Sequence, residues 1–326
     1  MLLKSFMIAT LSGFSTAKLV LPRSFPAAET LLQQTSLQIV TNSSDSTTFT
    51  AGHFTRSEQS DNICANNGKK QWTGTVDVSD KRRLFYWFFD SQSDPKNDPV
   101  LIWLNGGPGS SSMFGLLTEM GPCTLLRGSA STKPNPWAWN KKANLLFIDQ
   151  PAGVGFSQLA AGAPLPNADQ DGATDFQAFL KTFFTKAFPE KAHLPIHLAA
   201  ESYGGHYAPT YLAHILSSRR GNSTDAFRGN IKTMLLVNSI VDFTAPYLGQ
   251  YDLFCAENAV GQGILNKTDC KAMERAYPTC MGLREKCNLG LQQADCGEAV
   301  SYCSATINKY YSALLATGER DPYDSK

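Results

Sequence analysis

Ser202 stands in the segment 195–209, PIHLAAESYGGHYAP, where a short apolar run leads into Glu201-Ser202-Tyr203-Gly204 and then into a helix-like stretch. A serine on a tight strand-to-helix turn, with small residues two before and two after it, has the form of a nucleophile elbow. The elbow needs small residues because strand and helix backbones pass close together there. Here Ala200 replaces the first glycine of G-x-S-x-G, the smallest change the turn can absorb. Such a serine also sits at a helix N-terminus, where the dipole and unpaired N–H groups favour developing negative charge. The chemistry this implies is nucleophilic attack on an acyl carbon; the alternative is an ordinary helix-capping serine.

A second segment strengthens the first. Residues 100–115 read VLIWLNGGPGSSSMFG, a buried-strand pattern followed by a glycine-rich loop that opens a helix. An elbow serine needs two backbone N–H groups for the tetrahedral oxygen. One comes from the residue after the nucleophile and one from a glycine-rich loop after an early strand. Tyr203 and Gly107 fill those two positions. No Lys-Ser/Thr pair closes the loop, which excludes a phosphate cradle of the P-loop type.

Both segments need strands to carry them. Apolar or aromatic runs at 73–78, 84–90, 100–104, 145–149, 196–200 and 231–237 are bounded by Gly, Pro, Asn and Asp and predict strands. Helical spacing of Phe176, Phe179, Leu180, Phe183 and Phe184 predicts an amphipathic helix over 173–188, and a second follows over 205–218. Strands alternating with helices predict an α/β sheet covering 61–242. Residues 243–326 change character: six of the eight cysteines, Cys255, Cys270, Cys280, Cys287, Cys296 and Cys303, fall there, in a charged and helix-like stretch. The window has no C-x-x-C pairs and no histidine partners, so disulfides are expected rather than a metal, and no cofactor is called for. Spacing alone leaves their connectivity open.

Residues 1–17 have one early lysine, an apolar middle and small residues at Ser15 and Ala17, which predicts a secretory signal peptide. Residues 18–60, rich in Ser, Thr and Gln, are expected to be a pro-segment or loose arm. The sequons at Asn42, Asn222 and Asn266 and the cysteine content agree with export. A formal net charge of +1 without a basic or acidic block gives no support for nucleic-acid or anionic-membrane partners.

The order and spacing of WLNGGPGSSS, Glu119-Met120-Gly121-Pro122, NPWAWN at 135–140, IDQPAGVGFS at 148–157 and ESYGGHYAP resemble the serine carboxypeptidases. The likeness runs over about residues 64–326. It implies an α/β-hydrolase fold with a helical, disulfide-rich cap insertion. It also implies release of C-terminal residues from peptides in acid through an acyl-enzyme on Ser202, in the extracellular space or a vacuole. By the same resemblance Trp103, Asn105, Glu119 and Glu201 bind the substrate's free C-terminal carboxylate, and the cap disulfides are Cys255–Cys270, Cys280–Cys303 and Cys287–Cys296. Cys64 and Cys123 are left to pair with each other or with cysteines after residue 326. The sequence departs from the family at Ser110, where many relatives have cysteine, and at Val237 and Ser239, where glycine is usual. A carboxylate bound by two carboxylic acids requires shared protons, so peptide binding is expected to be tighter in acid.

In this fold the triad order is Ser, then Asp or Glu, then His. After Ser202 the histidines are His206 and His214, both on the helix the elbow opens, and His206 is expected to be structural. The resemblance puts the acid and base after the cap, so the chain is read as a C-terminally truncated form that lacks them. Two other readings follow from the same residues: an acyltransferase or esterase using the same elbow, and a non-catalytic secreted binding protein. The Asn105, Glu119 and Glu201 set favours the peptidase, because an ester substrate brings no free carboxylate.

Overall fold

The computed structural model describes residues 49–257, 263–290 and 292–318. These fall into two units, one running through Val241 and the other beginning at Asp242. The expected signal peptide, residues 18–48 of the expected arm and Asn42 lie outside the described residues.

In the first unit eight strands form one sheet: β1 (Ser57–Glu58), β2 (Gln71–Asp77), β3 (Arg82–Phe89), β4 (Val100–Leu104), β7 (Asn144–Ile148), β8 (Gln158–Leu159), β9 (Ile196–Glu201) and β10 (Ile231–Val237). A separate two-stranded ribbon pairs β5 (Cys123–Leu125) with β6 (Thr132–Pro134). The order in the sheet is β1-β2-β3-β7-β4-β9-β10, with β8 beside β3. β1, β2 and β3 pair antiparallel, and β3 also runs antiparallel to β7 and β8. β7, β4, β9 and β10 are parallel neighbours.

The six runs expected as strands all appear, with ends shifted by up to two residues. Their two-residue alternation builds two cores, one on each face of the sheet. From β3, Leu84, Tyr86 and Phe88 face one core, while Phe85, Trp87 and Phe89 face the other. Ile102 and Leu104 of β4 and Leu146 and Ile148 of β7 join the first; Trp103 and Phe147 join the second. Strands buried on both faces read as nearly unbroken apolar runs, which is why β4 and β7 stand out in the sequence.

The first core is covered by α2 (Asp169–Thr182) and α3 (Gly204–Arg220), with Phe176, Phe179, Leu180 and Tyr211 buried in it. The second is covered by a short helix, α1 (Met113–Gly115), that continues as a π turn, Leu116–Met120. α2 begins four residues before the expected 173: Asp169 and Asp171 occupy its first turn, where carboxylates suit the helix dipole. Past Thr182 the predicted helix becomes a π turn, Phe183–Ala187. β10 forms the outer edge of the sheet, and Met234, Leu235 and Leu236 on it are more than a third exposed.

The expectation of a loose arm does not hold for residues 49–60. Thr55 N–H donates to the Thr75 carbonyl, Gln59 N–H to that of Gln71, and Phe54 bridges Val76. The backbone there has found partners along the free side of β2, and Phe49 is buried, so these residues belong to the sheet.

The second unit is helical: α4 (Ala245–Phe254), α5 (Lys267–Gly290), α6 (Gln293–Cys303) and α7 (Lys309–Ala316). Its own core contains Leu248, Phe254, Met273, Cys280, Cys303 and Ile307. Disulfides join Cys255 to Cys270, Cys280 to Cys303 and Cys287 to Cys296, and in the first unit Cys64 to Cys123. No helix among the described residues is long and apolar enough to cross a membrane.

Candidate active site

Parallel strands end together, and the residues just beyond their carboxyl ends share one edge of the sheet. Leu104, Ile148 and Glu201 are the last residues of β4, β7 and β9, so Asn105, Asp149 and Ser202 come off that edge side by side. Ser202 has a φ of +57°, the left-handed region that a non-glycine residue enters at a cost. The turn is held on both sides: Ser202 N–H donates to the Val237 carbonyl (3.1 Å), and the Ser202 carbonyl accepts from Ile240 N–H (2.8 Å) and Gly205 N–H (3.1 Å). Ser239 donates its hydroxyl to the Ala200 carbonyl (3.1 Å), a further tie between β9 and the segment after β10.

The need for small residues is visible in distances. A Cβ on Gly204 would lie 2.6 Å from the Ala200 Cβ. One of the two positions must therefore be glycine, and with Gly204 present Ala200 is tolerated. The glycine-rich loop approaches the elbow as closely. A Cβ on Gly106 would lie 2.4 Å from Tyr203 N and 2.5 Å from the Glu201 carbonyl oxygen. Gly107, next along the chain, has a φ of +108°. Thus the segments expected to supply the two oxyanion donors are in backbone contact.

Asn105 is the junction of the residues expected to bind a carboxylate. Its Nδ2 donates to Glu201 Oε2 at 2.7 Å. Its Oδ1 accepts from Trp103 Nε1 at 2.8 Å and from Gly115 N–H at 3.0 Å. Trp103 is buried and packs edge-to-face on Trp139 at 5.8 Å. Glu119 lies on the π turn after α1, whose exit is fixed by Asn135 Nδ2 donating to the carbonyls of Glu119 (2.8 Å) and Gly121 (2.9 Å). Burial, and then the negative charge of Glu201, push the Glu119 carboxyl up to about 7. Burial raises Glu201 too, against the lowering effect of its bond from Asn105. Trp103, Asn105 and Glu201, which the sequence distributes over about a hundred positions, are therefore joined by hydrogen bonds next to Ser202, and the charge of Glu201 reaches Glu119.

Among the described residues no side chain hydrogen-bonds to Ser202 Oγ. His53 meets Asp77, His197 meets Thr233 Oγ1 at 2.7 Å, and the His206 ring stacks on Tyr203 at 4.9 Å. Sequence reasoning gave no role to two residues that the structure ties to the glycine-rich loop. The Tyr207 hydroxyl accepts from Gly109 N–H at 3.2 Å, and buried Asp149 accepts from Ser111 and Ser112. Both lie inside strings that carry the resemblance, which was the available signal.

A central sheet, parallel at its middle, with a left-handed serine at the carboxyl end of β9 and helices over both faces, is an α/β-hydrolase fold. The serine carboxypeptidase family (Peptidase_S10) matches residues 63–321, and the chain belongs to that family. Over 243 residues it is 39% identical to carboxypeptidase Y homolog A of Pyrenophora tritici-repentis, an alignment covering 74% of this chain and 43% of that protein. The Trichophyton tonsurans protein of the same name is 38% identical over 258 residues, covering 79% of this chain and 45% of the relative. The chain thus spans less than half the length of these curated relatives. The crystal structure of Kex1(delta)p, a prohormone-processing carboxypeptidase from Saccharomyces cerevisiae, matches with a TM-score of 0.59 at 26% identity, over 73% of this chain and 53% of that one.

Proposed function

We propose that this chain carries the nucleophile and the substrate-carboxylate site of a serine-type carboxypeptidase. The observation that carries the reading is the Asn105–Glu201 hydrogen bond at 2.7 Å beside a Glu119 whose carboxyl is raised to about 7. A protonated acid next to an amide donor can hold a carboxylate; two ionised acids would repel it. The site therefore selects a free peptide C-terminus, and Trp103 keeps Asn105 in the required orientation.

In the proposed reaction the Ser202 oxygen adds to the scissile carbonyl carbon. The carbonyl oxygen becomes an oxyanion between the N–H groups of Gly107 and Tyr203, the C–N bond breaks, and the C-terminal amino acid leaves. Water then hydrolyses the ester on Ser202. The reaction needs a base that takes the Ser202 proton and passes it to the leaving nitrogen, and the reading requires that base and its acid partner to come from outside the described residues.

The four disulfides and the expected signal at 1–17 support passage through an oxidising, secretory compartment, with secretion or vacuolar delivery as the destination. Asn222, exposed on the turn after α3, and Asn266, exposed before α5, are the glycan acceptors proposed among the described residues, with Asn42 outside them.

Binding tests the reading without requiring turnover. The Ser202→Ala full chain should bind an N-blocked dipeptide at pH 5 at least tenfold more tightly than the same dipeptide with an amidated C-terminus. Equal binding of the two would remove the basis for a carboxypeptidase and favour an esterase or acyltransferase. Release of C-terminal residues by any protein carrying this chain should disappear with Ser202→Ala.

A further inference from the structure

Asp149 follows the last residue of β7 and is fully buried. Three donors converge on its carboxylate: Oδ1 accepts from Ser111 Oγ (2.6 Å) and Ser112 N–H (2.9 Å), and Oδ2 from Phe156 N–H (2.9 Å). Its backbone is fixed as well. Asp149 N–H donates to the Phe85 carbonyl (3.0 Å), and its own carbonyl accepts from Ser157 Oγ (2.6 Å). The 150–157 loop is pressed against it, since a Cβ on Gly155 would lie 2.1 Å from Oδ2. Burial raises the carboxyl to about 6 against the lowering effect of its hydrogen bonds from Ser111, Phe156 and Ser112.

The same contacts reach the glycine-rich loop. Ser112 Oγ donates to the Ile148 carbonyl (2.6 Å) and accepts from Asn105 N–H (3.2 Å). Ser110 N–H donates back to the Gly106 carbonyl (3.1 Å). The loop 105–112 is therefore anchored at its far end by Asp149 and Ser112, and it bears on the elbow at Gly106.

We propose that Asp149 is a positioning residue that sets the 105–112 loop, and with it the Gly107 N–H, against the Ser202 elbow. The proposal rests on the reading of Gly107 as an oxyanion donor. A carboxylate suits the position because it accepts on both oxygens. An asparagine there has one acceptor oxygen and one NH2, so in either orientation the NH2 faces a backbone N–H, of Ser112 or of Phe156, and one anchor is lost.

Hydrogen–deuterium exchange on the full chain tests this. In Asp149→Asn the amides of 106–112 should exchange at least tenfold faster, while those of β4 and β9 stay within about twofold of the parent. Ser111→Ala, which keeps the carboxylate and removes one donor, should accelerate the same amides severalfold and serves if Asp149→Asn fails to fold. Unchanged loop exchange in both, or equal acceleration across the whole sheet, would overturn the proposal; the second result would make Asp149 a residue of general stability. Where turnover is measured, Asp149→Asn should lower kcat tenfold or more with KM within about twofold, the pattern of a lost transition-state interaction. A raised KM at unchanged kcat would also overturn it. Ser202→Ala abolishes turnover but leaves loop exchange unaltered, so a failure of the peptidase reading and a failure of the Asp149 proposal are read in different variants.

Discussion

Replacing Gly106 with alanine probes the contact on which the proposed oxyanion hole depends. The new Cβ would stand 2.4 Å from Tyr203 N and 2.5 Å from the Glu201 carbonyl oxygen, with Gly204 N at 3.1 Å. These are backbone atoms of the elbow, so no rotamer change relieves the overlap. Ordinary contact begins near 3.4 Å, so loop and elbow must separate by about 1 Å. Overpacking of this kind costs about 1–3 kcal/mol, which in a unit of roughly 190 residues lowers Tm by about 2–4 °C per kcal/mol. The same displacement takes the Gly107 N–H out of hydrogen-bond range of the oxyanion, and misplacement of a catalytic donor by about 1 Å costs on the order of a hundredfold in rate. The assay is paired: thermal melting of Gly106→Ala and Gly249→Ala, with kcat for a blocked dipeptide wherever turnover is present. A Cβ on Gly249 meets nothing within 4 Å and lies inside α4, so that change should be neutral or stabilising by about 0.5–1 kcal/mol. Gly106→Ala melting within 1 °C of the parent, with parental kcat, would refute the argument that the loop is packed against the elbow.

Three further outcomes are expected. Binding of a peptide carboxylate should weaken as pH rises through about 7, because Glu119 then loses the proton it would donate, and Glu119→Gln should flatten that dependence; a parent profile already flat between pH 5 and 8 would count against the shared-proton site. The raised Glu119 carboxyl, near 7, means that the folded chain holds a proton that the unfolded chain releases, so its contribution to stability is fully present below about pH 4.5 and is lost as pH rises toward 7. Melting scans in which Tm rises steadily from pH 5 to 8 would contradict it. Lys191→Met should destabilise the first unit by about 3–5 kcal/mol, because Lys191 Nζ pairs with buried Asp90 at 2.7 Å and also donates to the Pro95 carbonyl at 2.6 Å; a loss below 1 kcal/mol by urea denaturation would show that Asp90 tolerates being unpaired.

Local order was readable from the chain because its causes are local. The Leu84–Phe89 alternation, the apolar runs at 100–104 and 145–149, and the small residues flanking Ser202 each act within a few positions, and each produced the element expected. Residues 49–60 carry no periodicity in their sequence; they are ordered by backbone bonds to β2, which composition does not encode. The first turn of α2 is hidden in the sequence because Asp169 and Asp171 look like loop residues unless a helix dipole is there to favour them.

The sequence by itself determined that an elbow-like serine turn, a glycine-rich loop and the Trp103, Asn105, Glu119 and Glu201 side chains were all present, since those are choices of residue type. Which residues meet was decided by strand order. Asn105 and Glu201 are 96 positions apart, and they bond because β4 pairs directly with β9 in parallel and both end at one edge of the sheet. Asp149 acquires its role in the same way: β7 lies on the other side of β4, so the residue after its last position falls against Ser111 and Ser112. No local pattern specifies those neighbours, because the pairing of distant strands is settled by how both faces of the sheet bury their apolar side chains together.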